Sequence, residues 1–159
     1  MSAGSSRRDS DLDLLIYGAE SCKTVYRALV DLLRKVGGSI RRLEQEELQD
    51  LHAVHKSDTP LTFHDFAQLQ RRKVNAGRCR ERAFFLWFFK QPEEFGERYG
   101  DRHYHVVGRA TIRASIDGGS DAIFSPYCYR VQEATVLEGP QVDNLREIVT
   151  FRVRFSDQL

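Results

Sequence analysis

The stretch Asp11-Leu12-Asp13-Leu14-Leu15-Ile16-Tyr17 alternates acidic and apolar side chains, then continues through apolar residues to Tyr17. Alternation is the period of a β-strand, in which residues two apart share a face at a Cα separation of roughly 6.6 Å. Asp11 and Asp13 therefore point one way, and Leu12 and Leu14 the other. The apolar side needs a cover, and the chain supplies one at once. Gly18 breaks the strand, and Val25, Leu29, Leu32, Leu33 and Val36 form one stripe at helical spacing between Ser21 and Val36. Gly37-Gly38 ends that helix. A strand anchored on a helix through its leucines, with its acids on the other side, is expected to border a cleft.

Further along, Leu43, Leu48, Leu51 and Val54 sit among Glu44, Glu46, Glu47 and Asp50, the pattern of a shorter amphipathic helix, and a turn at Asp58-Thr59-Pro60 follows it. The hydroxyl of Thr62 is placed to cap a third helix from about Phe63 to Val74. In that helix Phe63, Phe66 and Leu69 face inward, Gln70, Arg71, Arg72 and Lys73 largely outward, and Gly77 acts as the stop. The aromatic-rich run Ala83 to Phe89 favours a buried strand. After Tyr99-Gly100-Asp101 come short β-type segments at His105–Ile116, Ala122–Val131, Ala134–Leu137 and Glu147–Phe155, parted by turns at Asp117-Gly118-Gly119 and Glu138-Gly139-Pro140. The expected fold class is α+β: a mixed sheet with helices over residues 1–100, then an antiparallel β unit over residues 101–159. No internal repeat is visible.

A chain of 159 residues, 41% hydrophobic and 30% charged with mixed signs, has the composition of one globular domain with a substantial core. Its net charge of +1 creates no global field for gathering nucleic acid, so any contact with a polyanion must come from a local patch. The longest apolar run, Ala83–Phe89, is too short to span a bilayer, and Ser2–Ser10 lacks the apolar centre of a signal peptide, which makes a cytoplasmic location the expectation. Cys22, Cys79 and Cys128 are far apart, form no Cys-x-x-Cys pair, and are expected to be reduced.

Two carboxylates on one strand face repel each other when bare. A hard divalent cation bound between them removes that penalty and brings oxygen-ligand chemistry of the magnesium kind. The bland alternative is a solvated edge strand. Upstream, the backbone N–H groups of Gly4-Ser5-Ser6 can approach phosphate oxygens closely.

The order Gly4-Ser5 followed by Ser10-Asp11-Leu12-Asp13-Leu14-Leu15-Ile16 resembles the signature of the DNA polymerase beta-like nucleotidyltransferase superfamily, in which a Gly-Ser turn precedes a strand bearing Asp-x-Asp. Further stretches look like one branch of it, the uncharacterised archaeal and bacterial nucleotidyltransferase-domain proteins: Asp58-Thr59-Pro60-Leu61-Thr62-Phe63, Arg71-Arg72-Lys73-Val74-Asn75-Ala76-Gly77, Ala122-Ile123-Phe124-Ser125-Pro126 and Glu147-Ile148-Val149-Thr150-Phe151-Arg152. The resemblance implies that Asp11 and Asp13 hold magnesium, that Gly4 and Ser5 touch phosphate, and that a third carboxylate on a neighbouring strand assists transfer from a nucleoside triphosphate to an acceptor. The strand Ala83–Phe89 contains no acid, and its nearest acidic neighbour is Glu81. Gly4-Ser5 also lies closer to Asp11 than is usual in the superfamily. The chain is accordingly expected to match a central portion of a longer pattern.

Among the remaining features, Arg71, Arg72 and Lys73, followed by Arg78, Arg80 and Arg82, can bind a triphosphate or a nucleic-acid backbone, or simply form a solvated face. His52 with His55, and His103 with His105, have chelating spacings but no third ligand, and read as surface histidines. Trp87 and its phenylalanine neighbours read as core ahead of a base-stacking platform. No Ser-His-Asp or Cys-His arrangement can be argued from spacing. The expected function is metal-dependent nucleotidyl transfer, with Asp11 and Asp13 binding magnesium and a basic residue near Arg71–Lys73 steadying the nucleotide. The alternative is a non-catalytic member that keeps the fold as a binding or assembly module.

Overall fold

In the computed structural model, which describes residues 11–56, 61–98, 100–117 and 121–158, the acidic strand forms as β1 (Leu12–Tyr17) and the aromatic strand as β4 (Arg82–Phe89). The two pair in parallel, with Asp13 opposite Phe85, Leu15 opposite Trp87 and Tyr17 opposite Phe89. Parallel neighbours need a long crossover. Here the connection contains α1 (Ala19–Leu33), the short β2 (Ile40–Arg41), α2 (Gln45–His55), α3 (Phe63–Arg72) and β3 (Ala76–Cys79). The resulting sheet has the order β1-β4-β3-β2, with β3 antiparallel to both of its neighbours. A second, antiparallel sheet contains β5 (Thr111–Asp117), β6 (Tyr127–Glu138) and β7 (Glu147–Thr150) in that order. The fold class is α+β, as expected from the sequence. No described helix is long and apolar enough to cross a membrane, and the three cysteines are free thiols.

The main core forms between the first sheet and α1. Phe84, Leu86 and Phe88 alternate inward from β4 against Cys22 and Leu29 of α1, joined by Val74, Ile123 and Phe124, with Leu12 and Ile16 packed at the edge. Cys22 is fully buried, and its thiol donates to the Ile16 carbonyl at 3.3 Å. Leu14 was expected to pack with Leu12 but is half exposed, because β1 is an edge strand and α1 does not cover its middle. The aromatic run is likewise only half core. Phe85, Trp87 and Phe89 occupy the opposite face, where Trp87 stacks on Phe89 at 6.3 Å and Phe89 on Tyr17 at 5.4 Å.

Several boundaries differ from the sequence reading. The third helix ends at Arg72, and Gly77, expected to stop it, lies inside β3. A Cβ at Gly77 would sit 2.5 Å from the Arg41 carbonyl oxygen and 3.1 Å from the Phe84 ring. Close backbone approach, rather than a helix stop, therefore calls for glycine here. The segments 122–131 and 134–137 were read as separate strands. Instead a single β6 begins at Tyr127, and Ala122–Phe124 form a buried turn. The β-type segment 105–116 forms a strand only from Thr111, and Glu147–Phe155 ends as a strand at Thr150, giving way to a 3-10 turn at Val153–Phe155. The expected turns at 58–60 and 118–119 lie outside the described residues.

The helices α2 and α3 are fixed at their starts. The Thr62 hydroxyl accepts from the Asp65 amide at 3.2 Å. Glu47 accepts from the Glu44 amide at 2.8 Å and also ties α2 to the sheet, taking Arg41 at 2.7 Å and Arg78 at 2.6 Å. The Arg41 guanidinium, helped by the Glu44 amide and Arg78 against the cost of burial, holds the Glu47 carboxyl down at about 2. Between pH 2 and the ordinary value of 4.5 the unfolded chain binds this proton and the folded chain does not, so stability rises with pH across that window. Glu47→Gln is expected to cost about 1.5–3 kcal/mol at neutral pH. In urea denaturation the gap from the wild type should close as pH falls from 4.5 toward 2; a gap independent of pH would contradict this role.

Candidate functional site

Asp11 immediately precedes β1 and Asp13 is its second residue. Both are exposed, and both line one cleft of about 350 Å³, as their shared strand face requires. Phe85, the β4 partner of Asp13, lies beside them. The same cleft is lined by His55 at the end of α2, by Gln70 and Lys73 around the end of α3, and by Arg152 and Arg154 near the C-terminus. Two acids thus share an apolar-floored cleft with two arginines and one lysine.

Lys73 was expected to point outward. The helix stops one residue earlier, however, and Lys73 itself is extended (φ −60°, ψ 137°), which turns its side chain inward. It is 2% exposed, and its Nζ donates to the Val153 carbonyl at 2.8 Å. Burial pulls the ammonium down to about 7, an effect opposed by Asp157 and reinforced by the positive charge of Arg154.

Asp157 is 1% exposed and accepts from the Tyr26 hydroxyl at 2.7 Å and from the Val74 amide. Burial raises its carboxyl above the ordinary value against those two hydrogen bonds. The adjoining tail is docked as well. The Gln158 side chain donates to the Leu69 carbonyl at 3.1 Å, and the Tyr129 hydroxyl donates to the Phe155 carbonyl. These contacts hold Arg152–Arg154 against the cleft.

Of the residues singled out from sequence, Asp11, Asp13 and Lys73 come together in this cleft. Arg71 and Arg72 stay on the exposed end of α3 and do not line it, and the Arg71 guanidinium donates to the Gln45 side chain. Gly4 and Ser5 lie outside the described residues. His55, Gln70, Arg152 and Arg154 were not singled out for this cleft. Arg152 and Arg154, two apart in a stretch read as a strand, carried a same-face signal; for His55 the signal was its spacing from His52. His52 itself is structural, since its ring bonds the Leu61 carbonyl at 3.0 Å and packs on Phe63 and Phe66. The strand beside β1 carries no acid, and among the described residues no group of three or more His, Cys, Asp or Glu side chains is placed to hold a metal ion.

No protein-family model matches the chain, and no solved structure matches it. It is similar to an uncharacterized protein of Methanocaldococcus jannaschii, with 25% identity over 153 residues, covering 96% of this chain and 43% of that relative. The chain therefore spans less than half the length of the curated relative it matches.

Burial of Lys73 has a measurable consequence. Between about pH 7 and 10.5 the unfolded lysine is protonated and the folded one is not, so the unfolded state binds more protons and stability climbs with pH through that window. Lys73→Met should lack that climb when denaturation midpoints of the two proteins are compared across it. Parallel pH profiles would show that the folded lysine keeps its proton.

Proposed function

We propose that this chain is a magnesium-dependent nucleotidyltransferase-like protein that binds a nucleoside triphosphate between Asp11 and Asp13 on one wall and Lys73, Arg152 and Arg154 on the other. The observation that supports the reading is the meeting of these five side chains at a single cleft. Its volume falls in the range of small-molecule sites. A donor set of two carboxylates suits magnesium in particular, because that ion usually keeps several waters and is bound by one or two carboxylates together with substrate phosphates. When bound, magnesium would neutralise the triphosphate and polarise it toward attack by an acceptor hydroxyl.

The chain's own residues have separable tasks in this reading. Asp11 and Asp13 hold the metal-bearing end of the triphosphate. Arg152 and Arg154 donate N–H groups to phosphate oxygens in charge-assisted hydrogen bonds. An incoming polyanion favours the charged form of Lys73, so the buried amine takes up a proton as the ligand enters. Phe85 gives the base or sugar an apolar surface next to Asp13, and His55 can exchange a proton with the acceptor. In keeping with the resemblance, Gly4 and Ser5 would contribute phosphate contacts; on the apolar patterning of the sequence, the protein would act in the cytoplasm.

A second reading, a non-catalytic binding or assembly module, is favoured by one specific observation. The position beside Asp13 on β4 is Phe85, and nowhere along Arg82–Phe89 is there an acid to complete a catalytic set.

Titration calorimetry with each nucleoside triphosphate, with and without magnesium, tests the nucleotide binding on which the first reading rests. Heat is expected only with magnesium, and the double variant Asp11→Ala with Asp13→Ala should bind at least about tenfold more weakly, a loss of about 1.4 kcal/mol. Absence of heat under every condition, or binding indifferent to magnesium and to both aspartates, would contradict the proposal. Binding without transfer of the nucleotidyl group to a hydroxyl acceptor, and so without release of pyrophosphate, would select a non-catalytic binding module.

A further inference from the structure

The structure divides five of the six cations singled out along residues 71–82 among different tasks. Arg71 bonds Gln45, Lys73 is buried at the acidic cleft, and Arg78 is paired with Glu47. Arg80 and Arg82 go elsewhere. Together with Lys35, two residues past the end of α1, they line a groove of about 760 Å³, on the α1 face of the sheet and across β1 from the acidic cleft. Leu12 lines this groove, while Asp11 and Asp13, its neighbours on either side, line the other cleft.

Three features point to a ligand. First, Lys35, Arg80 and Arg82 make no ion pair among the described residues, and the one acid lining the groove is Glu81, which leaves a local excess of two positive charges. Second, the two-residue turn between β3 and β4 places Arg80 at φ 54°, in the left-handed region where glycine or asparagine is usual, so an arginine is held there at a conformational cost. Third, the floor is apolar, made by Leu12, Leu32, Ile40 and Cys79. A cationic rim over an apolar floor matches a molecule with phosphates along one edge and flat apolar groups along the other.

We propose that this groove binds a single-stranded nucleic acid, with the backbone phosphates on Lys35, Arg80 and Arg82 and the bases against the leucine and isoleucine floor. Arginine suits both tasks, since its guanidinium bonds phosphate and its planar face stacks on a base. Inorganic polyphosphate would use the rim but not the floor. A duplex would keep its bases away from the floor, and an anionic membrane needs a convex or flat basic face rather than a groove.

The test is fluorescence anisotropy of end-labelled single strands of about 12 nucleotides, RNA and DNA, titrated with the full chain over a range of salt concentrations. No nucleoside triphosphate is present, so the outcome is independent of the reading of the Asp11–Asp13 cleft. Three phosphate contacts should give a slope of about −2 for log affinity against log salt. Arg80→Gly with Arg82→Gln should bind at least about tenfold more weakly with a slope near −0.7, the value for one remaining contact. Lys35→Glu, on a different segment, should weaken binding comparably, and Glu81→Gln should tighten it. Arg80→Gly also relieves the left-handed strain, so its thermal midpoint should not fall. The proposal is overturned by unchanged affinity in both charge variants, by no binding at about 50 mM salt, by polyphosphate competing as well per phosphate as the oligonucleotide, or by preferential binding to duplex or to phosphatidylserine vesicles.

Discussion

Asp157 is the buried contact on which the candidate cleft depends. A carboxylate taken out of water is costly unless its oxygens are hydrogen-bonded, and here the Tyr26 hydroxyl of α1 and the Val74 amide after α3 supply those bonds. The Asp157 amide in turn donates to the Ala122 carbonyl at 3.3 Å, beside the buried Ile123 and Phe124. Helix α1, the start of β3 and the turn before β6 thus converge on one residue near the C-terminus. The preceding residues are held as a consequence. The Val153 carbonyl accepts from the Lys73 side chain, and Arg152 and Arg154 line the same cleft as Asp11 and Asp13. Without this anchor, the acids would lie on an open sheet edge.

The parts of the fold that could be read from sequence are those with a strong local period. The alternation at residues 11–17 and the helical stripe through Val25, Leu29, Leu32, Leu33 and Val36 each fix an element, although α1 ends at Leu33 and Leu14, Leu32 and Val36 are exposed, and the Thr62 cap marks a helix start. The β2 and β3 strands escaped because two and four residues carry too little pattern, and because Gly77 has the same appearance as a helix stop and as a point of close backbone approach. The candidate site was legible on one side only. Asp11 and Asp13 announce themselves by spacing, whereas Arg152 and Arg154 come to the same cleft through tertiary contacts that span most of the chain, which no local pattern reports. Lys73 was visible as a cation, but its burial depends on the helix ending at Arg72 and on the distant Val153 carbonyl.

The aromatic strand illustrates how one run of residues can serve two faces. Phe84, Leu86 and Phe88 fill the core, while Phe85, Trp87 and Phe89 continue a surface that begins with Asp13 and runs past Leu15 to Tyr17. The acids therefore lie at one end of an aromatic face, in a cleft that Lys73, Arg152 and Arg154 also line. In the proposed reading this environment favours a ligand that combines a flat apolar group with a chain of phosphates, and it strengthens the electrostatic contacts by excluding water from one side of them. The absence of an acid on β4 separates the capacity to bind such a ligand from the capacity to transform it.

The central claim is that the two aspartates and the C-terminal arginines address one metal–triphosphate unit. Paramagnetic broadening by manganese in heteronuclear NMR tests it most directly, with a non-hydrolysable triphosphate analogue present or absent. With both ion and analogue, the amide signals of residues 11–13 and 152–154 should broaden together, and the ion alone should affect the second group far less. Broadening centred on His103 and His105, or on neither wall of the cleft, would contradict the account.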